Sequence, residues 1–262
     1  MKNIGIMQGR LLPRYKNRYQ AHPVNYWQSE FYIAKELGFS QIEFILDFNE
    51  YKKNPLMSKL GIKEIQNIIK ESGIKVKSIC ADYFMEAPLH SKHKKQSEKI
   101  LKKLILNAKK LNVIDIVIPC VDQSTLKTDS NMKSFVSSIK KVLPLAETYN
   151  ININFETDLS PKRFKKLLDS FDSQNIKVNY DIGNSASLGY NPEEEFKAYG
   201  DYISDLHIKD RVLNGGSVKL GCGNADFSTV LPLAARCCVF CSYGVPASCP
   251  PPTSRTFPER SV

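Results

Sequence analysis

The sequence has 262 residues, of which 42% are hydrophobic and 24% are charged. These fractions are ordinary for a folded protein and exclude a largely disordered chain. The length suits one large α/β barrel or two smaller domains. No apolar run approaches the roughly 18 residues of a membrane helix, and the N-terminal apolar stretch is too short and broken for a signal peptide. We therefore expect a soluble, cytoplasmic protein without a membrane partner.

Basic residues outnumber acidic residues, and the formal net charge is +10 (37 − 27). Much of the excess is lysine in a helix-like segment between residues 92 and 110. Lysines spread in this way are typical of a solvated helix face. The charge therefore does not predict a nucleic-acid partner.

Short β-rich runs alternate with amphipathic helical patterns along the chain. Most of the runs are nearly continuous in apolar residues, which is typical of a parallel sheet covered on both faces. Between them, one helical pattern ends at Gly73, and Asn191-Pro192 is a typical helix start. A further helical stripe runs from Phe135 to Leu143, with a kink predicted at Pro144. The predicted strands are Ile4–Met7, Gln41–Leu46, Val76–Asp82, Ile114–Cys120, Ile151–Thr157, Val178–Gly183 and Ile203–Lys209.

Seven strands, each followed by a helical pattern, indicate an α/β barrel or a doubly wound sheet. The segment Gly5–Gly9 after the first strand lacks the Gly-x-Gly-x-x-Gly turn of dinucleotide-binding sheets. A (β/α)8 TIM barrel fits better, because its active site collects polar residues from the carboxyl ends of many strands. Residues of this kind lie in or just after the predicted strands: Glu43, Asp82, Glu156, Asp181 and His207.

Three segments each place an ionisable residue near the end of an otherwise apolar strand. Glu156 lies in NFET, Asp181 in YDIGNS and His207 in DLHIKDR. In a barrel these three side chains would project from successive strands toward one point. Two carboxylates and a neutral imidazole suit one divalent metal ion such as Mn²⁺, Co²⁺, Mg²⁺ or Zn²⁺. The three residues together therefore predict a metal site, although each alone would be an ordinary capping or core residue.

From about Ile4 to Phe227 the sequence resembles the sugar phosphate isomerase/epimerase family, the xylose-isomerase-like barrels. The motifs that carry the resemblance are GIMQGRL, ELGFSQIEF, NFET, YDIGN, LHIKDR and LGCGNADF. The resemblance implies a (β/α)8 barrel with one divalent metal ion at its mouth, held by Glu156, Asp181 and His207. It also implies that a proton is removed next to a sugar carbonyl to give an enediolate, with Glu156 as one catalytic base.

The substrate implied is a small sugar or sugar phosphate. Gly215-Gly216 and Gly221-x-Gly223 follow the seventh strand, where barrels commonly bind phosphate through backbone N–H groups; a plain turn-rich loop explains them equally well. Six side chains are candidates for substrate binding, Arg211 among them from its place in the family motif: Gln8, Glu43, Asp82, Asn184, Lys209 and Arg211.

Several alternatives share this fold. An inosose-type dehydratase would use the same barrel, and a non-catalytic barrel is also open. An endonuclease IV-like DNA repair enzyme is disfavoured, because its multi-zinc cluster needs many histidines and the chain has four, of which only His207 lies at a strand end. Assembly as a homo-oligomer stays open.

The composition changes abruptly near residue 230. Residues 231–262 contain six of the 14 prolines and four of the seven cysteines, but no Lys, Asn or Ile. We therefore expect a barrel domain at 1–230 and an aberrant Pro/Cys-rich tail at 231–262 that does not form a normal eighth strand. The family would place a second catalytic Glu on that strand, and Glu259 is the only acidic residue after Phe227. The prediction is therefore an enzyme fold whose activity in this chain is weak or absent.

Overall fold

The structure is a computed structural model, and it describes residues 4–18 and 20–236. Seven parallel strands form one curled sheet in the order β1-β2-β3-β4-β5-β6-β7, so that each strand pairs with its neighbour in sequence. This order is that of a TIM barrel, as predicted from the sequence, and not that of a doubly wound sheet. The strands are β1 (Gly5–Met7), β2 (Gln41–Ile45), β3 (Ser78–Cys80), β4 (Asp115–Cys120), β5 (Asn152–Thr157), β6 (Ile176–Asp181) and β7 (Ile203–His207).

Ten α-helices occur in the described residues, most of them in the connections that follow the strands. A short antiparallel hairpin, β8 (Asp210–Arg211) and β9 (Ser217–Val218), follows β7. The helices are α1 (Ser29–Glu36), α2 (Lys59–Ser72), α3 (Tyr83–Glu86), α4 (Lys94–Lys110), α5 (Asp129–Lys140), α6 (Leu143–Tyr149), α7 (Pro161–Leu168), α8 (Ile182–Leu188), α9 (Pro192–Tyr199) and α10 (Phe227–Arg236). None of these helices is both long and apolar enough to cross a membrane.

Local sequence signals set several helix ends. Gly73 ends α2 in the left-handed conformation at φ +80°, which glycine adopts without steric cost. The Asn191 side chain accepts hydrogen bonds from the first amides of α9, and Pro192 occupies the first turn. The kink predicted at Pro144 is wrong: α5 ends at Lys140 and a new helix, α6, begins at Leu143. Pro144 lies in the first turn of α6, where its missing N–H costs nothing.

The core lies between the sheet and its helices, and its centre is aromatic. Every residue of β4 is buried, as expected for a central strand covered on both faces. Phe155 on β5 is fully buried and meets Phe135 of α5 edge to face, with ring centroids 5.1 Å apart. The burial of these apolar side chains is the main contribution to the stability of the fold.

The sheet is open between β1 and β7 in the described residues. β1 is exposed or half-buried throughout, in contrast to β4, and no eighth parallel strand occurs between residues 4 and 236. Helix α10 crosses the boundary predicted at residue 230 and buries Val230 and Ala234, so it adds to the core there. The rest of the predicted tail, including Glu259, lies outside the described residues, and the division at residue 230 stays a prediction.

Candidate active site

The three residues of the predicted metal site come together at the carboxyl ends of β5, β6 and β7. Asp181 and His207 are the last residues of their strands and are register partners across the β6–β7 pair. His207 Nδ1 lies 3.5 Å from Glu156 Oε2 and 3.9 Å from Asp181 Oδ2. Because parallel strands end at the same edge of a sheet, three residues far apart in sequence converge at this point.

Two asparagine amides hold the Glu156 carboxylate in place. Asn179 Nδ2 donates to Oε2 and Asn184 Nδ2 donates to Oε1, each at 2.7 Å. Burial, and next the negative charge of Asp181, raise the pKa of Glu156 above its ordinary value. The side chain is therefore fixed in orientation and able to hold a proton near neutral pH.

The sequence interpretation missed Asn179. Its position in the strand could have identified it, because Asn179 precedes Asp181 by two residues and residues i and i+2 of a strand share one face. The same spacing separates Asp205 from His207, and Asp205 was also missed. Asp205, Glu43 and His207 form a second group whose ligand atoms lie within 4.8 Å of one another.

His207 is held from both sides of its ring. Nε2 lies 2.8 Å from Glu43 Oε2, and Nδ1 lies 3.0 Å from Asn179 Nδ2. Burial alone would lower the pKa of His207. The charges of Glu43, Glu156 and Asp205 outweigh burial and raise that pKa well above its usual value. A cation bound at Nδ1 would take the place of the proton that these carboxylates attract.

Asp181 uses both carboxylate oxygens. Oδ1 accepts the Asn184 backbone N–H at 2.8 Å and so caps α8, while Oδ2 lies 2.7 Å from Lys209 Nζ. The Lys209 ammonium is thus a positive charge already placed beside a predicted ligand. Gly183 allows this approach, because a Cβ there would lie 3.0 Å from the Lys209 carbonyl oxygen.

Arg211 reaches the site through Asn184. Its Nη1 donates to Asn184 Oδ1 at 2.9 Å, and its Nε and Nη2 donate to the Gly215 carbonyl at 3.0 and 2.7 Å. A chain of hydrogen bonds therefore runs from Arg211 through Asn184 to Glu156. The substrate-binding roles of Arg211, Asn184 and Lys209 stay predictions.

Gln8 and Asp82 lie at the ends of the first and third strands but bond to other partners. Gln8 Oε1 accepts from Ile45 N at 3.1 Å and lies 3.0 Å from His22 Nδ1. Asp82 accepts from Gln20 Nε2 at 2.7 Å, and burial raises its pKa to about 6. Their predicted contact with substrate is untested.

The glycine-rich loop after β7 is organised by a carboxylate. The backbone N–H groups of Gly221, Gly223 and Ala225 donate to Asp210 at 2.8–3.0 Å. A Cβ at Gly223 would lie 2.2 Å from Asp210 Oδ1, so the turn requires glycine there. These three amides are already occupied by Asp210, which favours a tight turn at Gly221–Gly223, and phosphate binding by the loop stays a prediction.

The sequence pattern of a known family, described as xylose isomerase-like TIM barrel, matches residues 31–235. The chain belongs to this family. It is 27% identical over 216 residues to a probable L-ribulose-5-phosphate 3-epimerase of Mycoplasma pneumoniae, covering 78% of this chain and 71% of that protein. It is 30% identical over 198 residues to a putative L-ribulose-5-phosphate 3-epimerase of Haemophilus influenzae, covering 70% and 68%.

A solved structure shares the fold. A xylose isomerase-like TIM barrel protein from Mycobacterium smegmatis, in complex with magnesium, superposes with a TM-score of 0.68 at 15% identity, over 90% of this chain and 87% of that one.

The family and the names of the two relatives together make this chain a sugar isomerase/epimerase-like enzyme, as the sequence predicted.

Proposed function

We propose that this chain binds a divalent cation through Glu156, Asp181 and His207 and acts on a sugar or sugar phosphate as an isomerase or epimerase. The observation that carries the proposal is the convergence of His207 Nδ1, Glu156 Oε2 and Asp181 Oδ2 within 4.8 Å of one another. The sugar phosphate class is supported by the names of the two relatives.

The chemistry of the donor set fits a divalent cation. Two carboxylate oxygens and one imidazole nitrogen are ligands that Mg²⁺, Mn²⁺, Co²⁺ and Zn²⁺ accept. Glu43 and Asp205 add two carboxylates beside His207. In the part of the chain that the structure describes, the one lysine in contact with the carboxylates of the site is Lys209, whose Nζ lies 2.7 Å from Asp181 Oδ2. Glu43 Oε1 is also buried without a hydrogen-bond partner. The site therefore holds more carboxylates than cationic side chains, an arrangement that a bound divalent cation would compensate.

A bound divalent cation would act as a Lewis acid toward a substrate carbonyl and its neighbouring hydroxyl. The protein itself supplies the proton transfer. Glu156 is the proposed base, because it lies beside the proposed cation position and two asparagine amides fix its orientation. Asn184 links Glu156 to Arg211, and this pair would orient substrate oxygens beside the base.

Epimerisation requires a second base on the opposite face of the substrate. No carboxylate from an eighth strand occurs among residues 4–18 and 20–236, and Glu259 is the only acidic residue after Phe227 in the sequence. We therefore propose weak cation binding and slow or absent net epimerisation. This observation also favours a second candidate function, a barrel that binds a sugar without catalysing a reaction on it.

Cation binding is tested by titrating the full chain with Mn²⁺ in an isothermal calorimeter. We expect one weak site that His207→Ala abolishes. His93→Ala is the matched control, because His93 is exposed at the start of α4. Equal binding by wild type and His207→Ala would refute the proposed ligand set.

Proton abstraction is tested separately from net turnover. The chain is incubated with Mn²⁺ and L-ribulose 5-phosphate in D₂O, and deuterium at the carbon next to the carbonyl is followed by NMR. We expect slow exchange in wild type and none in Glu156→Gln. Binding of the sugar phosphate without any exchange would favour the non-catalytic barrel.

A further inference from the structure

We propose that Glu43 is a positioning residue that holds His207 in the tautomer whose Nδ1 lone pair faces Glu156 and Asp181. The inference rests on the proposed cation site and assigns Glu43 a role there in place of substrate contact. Glu43 lies on β2, next to the edge strand β1, and His207 lies on β7, the other edge strand of the sheet. Their contact, from Oε2 to Nε2, measures 2.8 Å.

The hydrogen bonds on the other side of the ring define the tautomer. Asn179 Nδ2 lies 2.7 Å from Glu156 Oε2, and an ionised carboxylate only accepts hydrogen bonds. With Glu156 ionised, as a metal ligand must be, this contact requires the NH₂ group of Asn179 to point toward Glu156. The same NH₂ group lies 3.0 Å from His207 Nδ1. In the neutral ring Nδ1 must therefore be the acceptor, and the proton must be on Nε2.

The two neighbours of His207 thus require the same tautomer. A proton on Nε2 points at Glu43, which accepts it. The lone pair on Nδ1 accepts from Asn179 in this structure, and a cation bound between His207, Glu156 and Asp181 would take the place of that hydrogen bond. A histidine that ligates a metal commonly donates its second ring N–H to a carboxylate, which fixes the ring and makes it a better ligand. Glu43 is placed to do this for His207.

The packing around Glu43 keeps its carboxylate in this position. The residue is 8% exposed, and its carbonyl oxygen accepts the Gln8 backbone N–H at 2.9 Å. Its neighbours in β2, Ile42 and Phe44, are fully buried. Its second carboxylate oxygen has no partner in the described structure, so the bond to His207 is the contact that orients the side chain.

A competing role for Glu43 would be to hold a second cation together with Asp205 and His207 Nε2. The tautomer argues against it, because a nitrogen that carries a proton offers no lone pair to a metal. One neutral imidazole cannot serve both groups of carboxylates. The geometry therefore predicts a single cation, on the Nδ1 side.

The test is calorimetric titration of the full chain with Mn²⁺ in wild type, Glu43→Leu and Glu43→Gln. Glu43→Leu keeps the buried volume but removes the acceptor, and we expect about 10–100-fold weaker binding. Glu43→Gln keeps an oxygen that can accept the Nε2 proton, so most of the affinity should return. Asp205→Asn is the matched control and should leave the stoichiometry at one.

A second measurement reports the tautomer directly and is insensitive to general loosening of the fold. Histidine labelled with ¹⁵N is observed in the Zn²⁺-loaded chain, and His207→Gln identifies its signals. We expect a metal-bound Nδ1 and a protonated Nε2 in wild type and in Glu43→Gln.

The outcomes separate the two proposals. Wild type that binds no Mn²⁺ overturns both the cation site and the role of Glu43. Wild type that binds Mn²⁺, with unchanged affinity in Glu43→Leu, overturns the role of Glu43 alone. Two sites in wild type that fall to one in Asp205→Asn, or zinc bound at Nε2, would also overturn it. If Glu43→Leu does not fold, Glu43→Gln and the nitrogen spectrum of wild type still decide.

Discussion

The buried carboxylate of Glu195 ties the end of β6 to α8 and α9. The hydroxyls of Tyr180 and Tyr199 donate to it at 2.6 and 2.7 Å, and the hydroxyl of Ser185 donates to it as well. Glu195 is 3% exposed, and burial raises its pKa against the effect of the three donors. Because Tyr180 precedes Asp181 and Ser185 follows Asn184 in the sequence, this network holds the backbone beside two residues of the candidate site.

We expect Tyr199→Phe to lower the free energy of unfolding by about 1.5–3 kcal/mol, the usual cost of losing a hydrogen bond to a charged group. The ring keeps its packing against Phe164, with centroids 4.9 Å apart, so no cavity contributes. Glu195→Ala removes the acceptor of all three hydroxyls and leaves a void, and should cost about 3–5 kcal/mol.

The measurement is urea unfolding followed by the fluorescence of Trp27, the only tryptophan in the chain and a buried one. An unchanged slope with a lower midpoint would assign the effect to the native state. Tyr32→Phe is the matched control, because its hydroxyl also donates to a carboxylate, Glu71, but on the surface. Its midpoint should not move. If Tyr199→Phe behaves like Tyr32→Phe, the Glu195 network does not hold these elements together.

Three further predictions follow from single residues. Burial lowers the pKa of His22 from 6.5 to about 4, so between these values the unfolded chain binds a proton that the folded chain excludes. The folded state should therefore lose stability as the pH falls from 6.5 to 4. Between pH 7 and pH 4, the free energy of unfolding of wild type relative to His22→Gln, measured by urea unfolding, should decrease by roughly 3 kcal/mol (2.5 units at 1.36 kcal/mol each). A difference that does not change with pH would contradict the shift. A Cβ at Gly61 would lie 2.4 Å from the backbone of the preceding turn, so Gly61→Ala should cost about 1–3 kcal/mol in the same assay, whereas Gly216→Ala, which has open space, should cost nothing measurable. Asp210→Asn removes the charge that binds three loop amides, and should speed tryptic cleavage after Lys219, measured by mass spectrometry; an unchanged rate would mean that the loop has another anchor.

The three predicted ligands could be found from the sequence because their surroundings are local. Glu156, Asp181 and His207 each interrupt an apolar run near its end, and parallel strands that follow one another in sequence bring such ends together. The number of strands and their order also followed from the alternation of strand and helix patterns. Neither inference required knowledge of a contact between distant segments.

What the sequence did not reveal depends on contacts across the barrel. The pair formed by Glu43 and His207 joins residues 164 positions apart, and only the curling of the sheet brings them together. Asn179 was overlooked because it carries no charge, although its position two residues before Asp181 places it on the same face. The sequence could not decide between a phosphate-binding loop and a plain turn for a similar reason, since Asp210, which accepts from the amides of Gly221 and Gly223, belongs to a hairpin that the pattern did not predict.

The proposed cation ligands and the second base that an epimerase would need come from different segments of the chain. All three proposed ligands come from β5, β6 and β7, and the groups that orient them, Asn179, Asn184, Lys209 and Glu43, lie within residues 43–209. None of these contacts involves the segment where the family would place its eighth strand. The second base of an epimerase, in contrast, would come from that segment alone. A change of sequence near residue 230 therefore leaves the proposed ligands and the contacts that orient them in place. For this reason cation affinity and deuterium exchange, measured separately, say more about this protein than net turnover does.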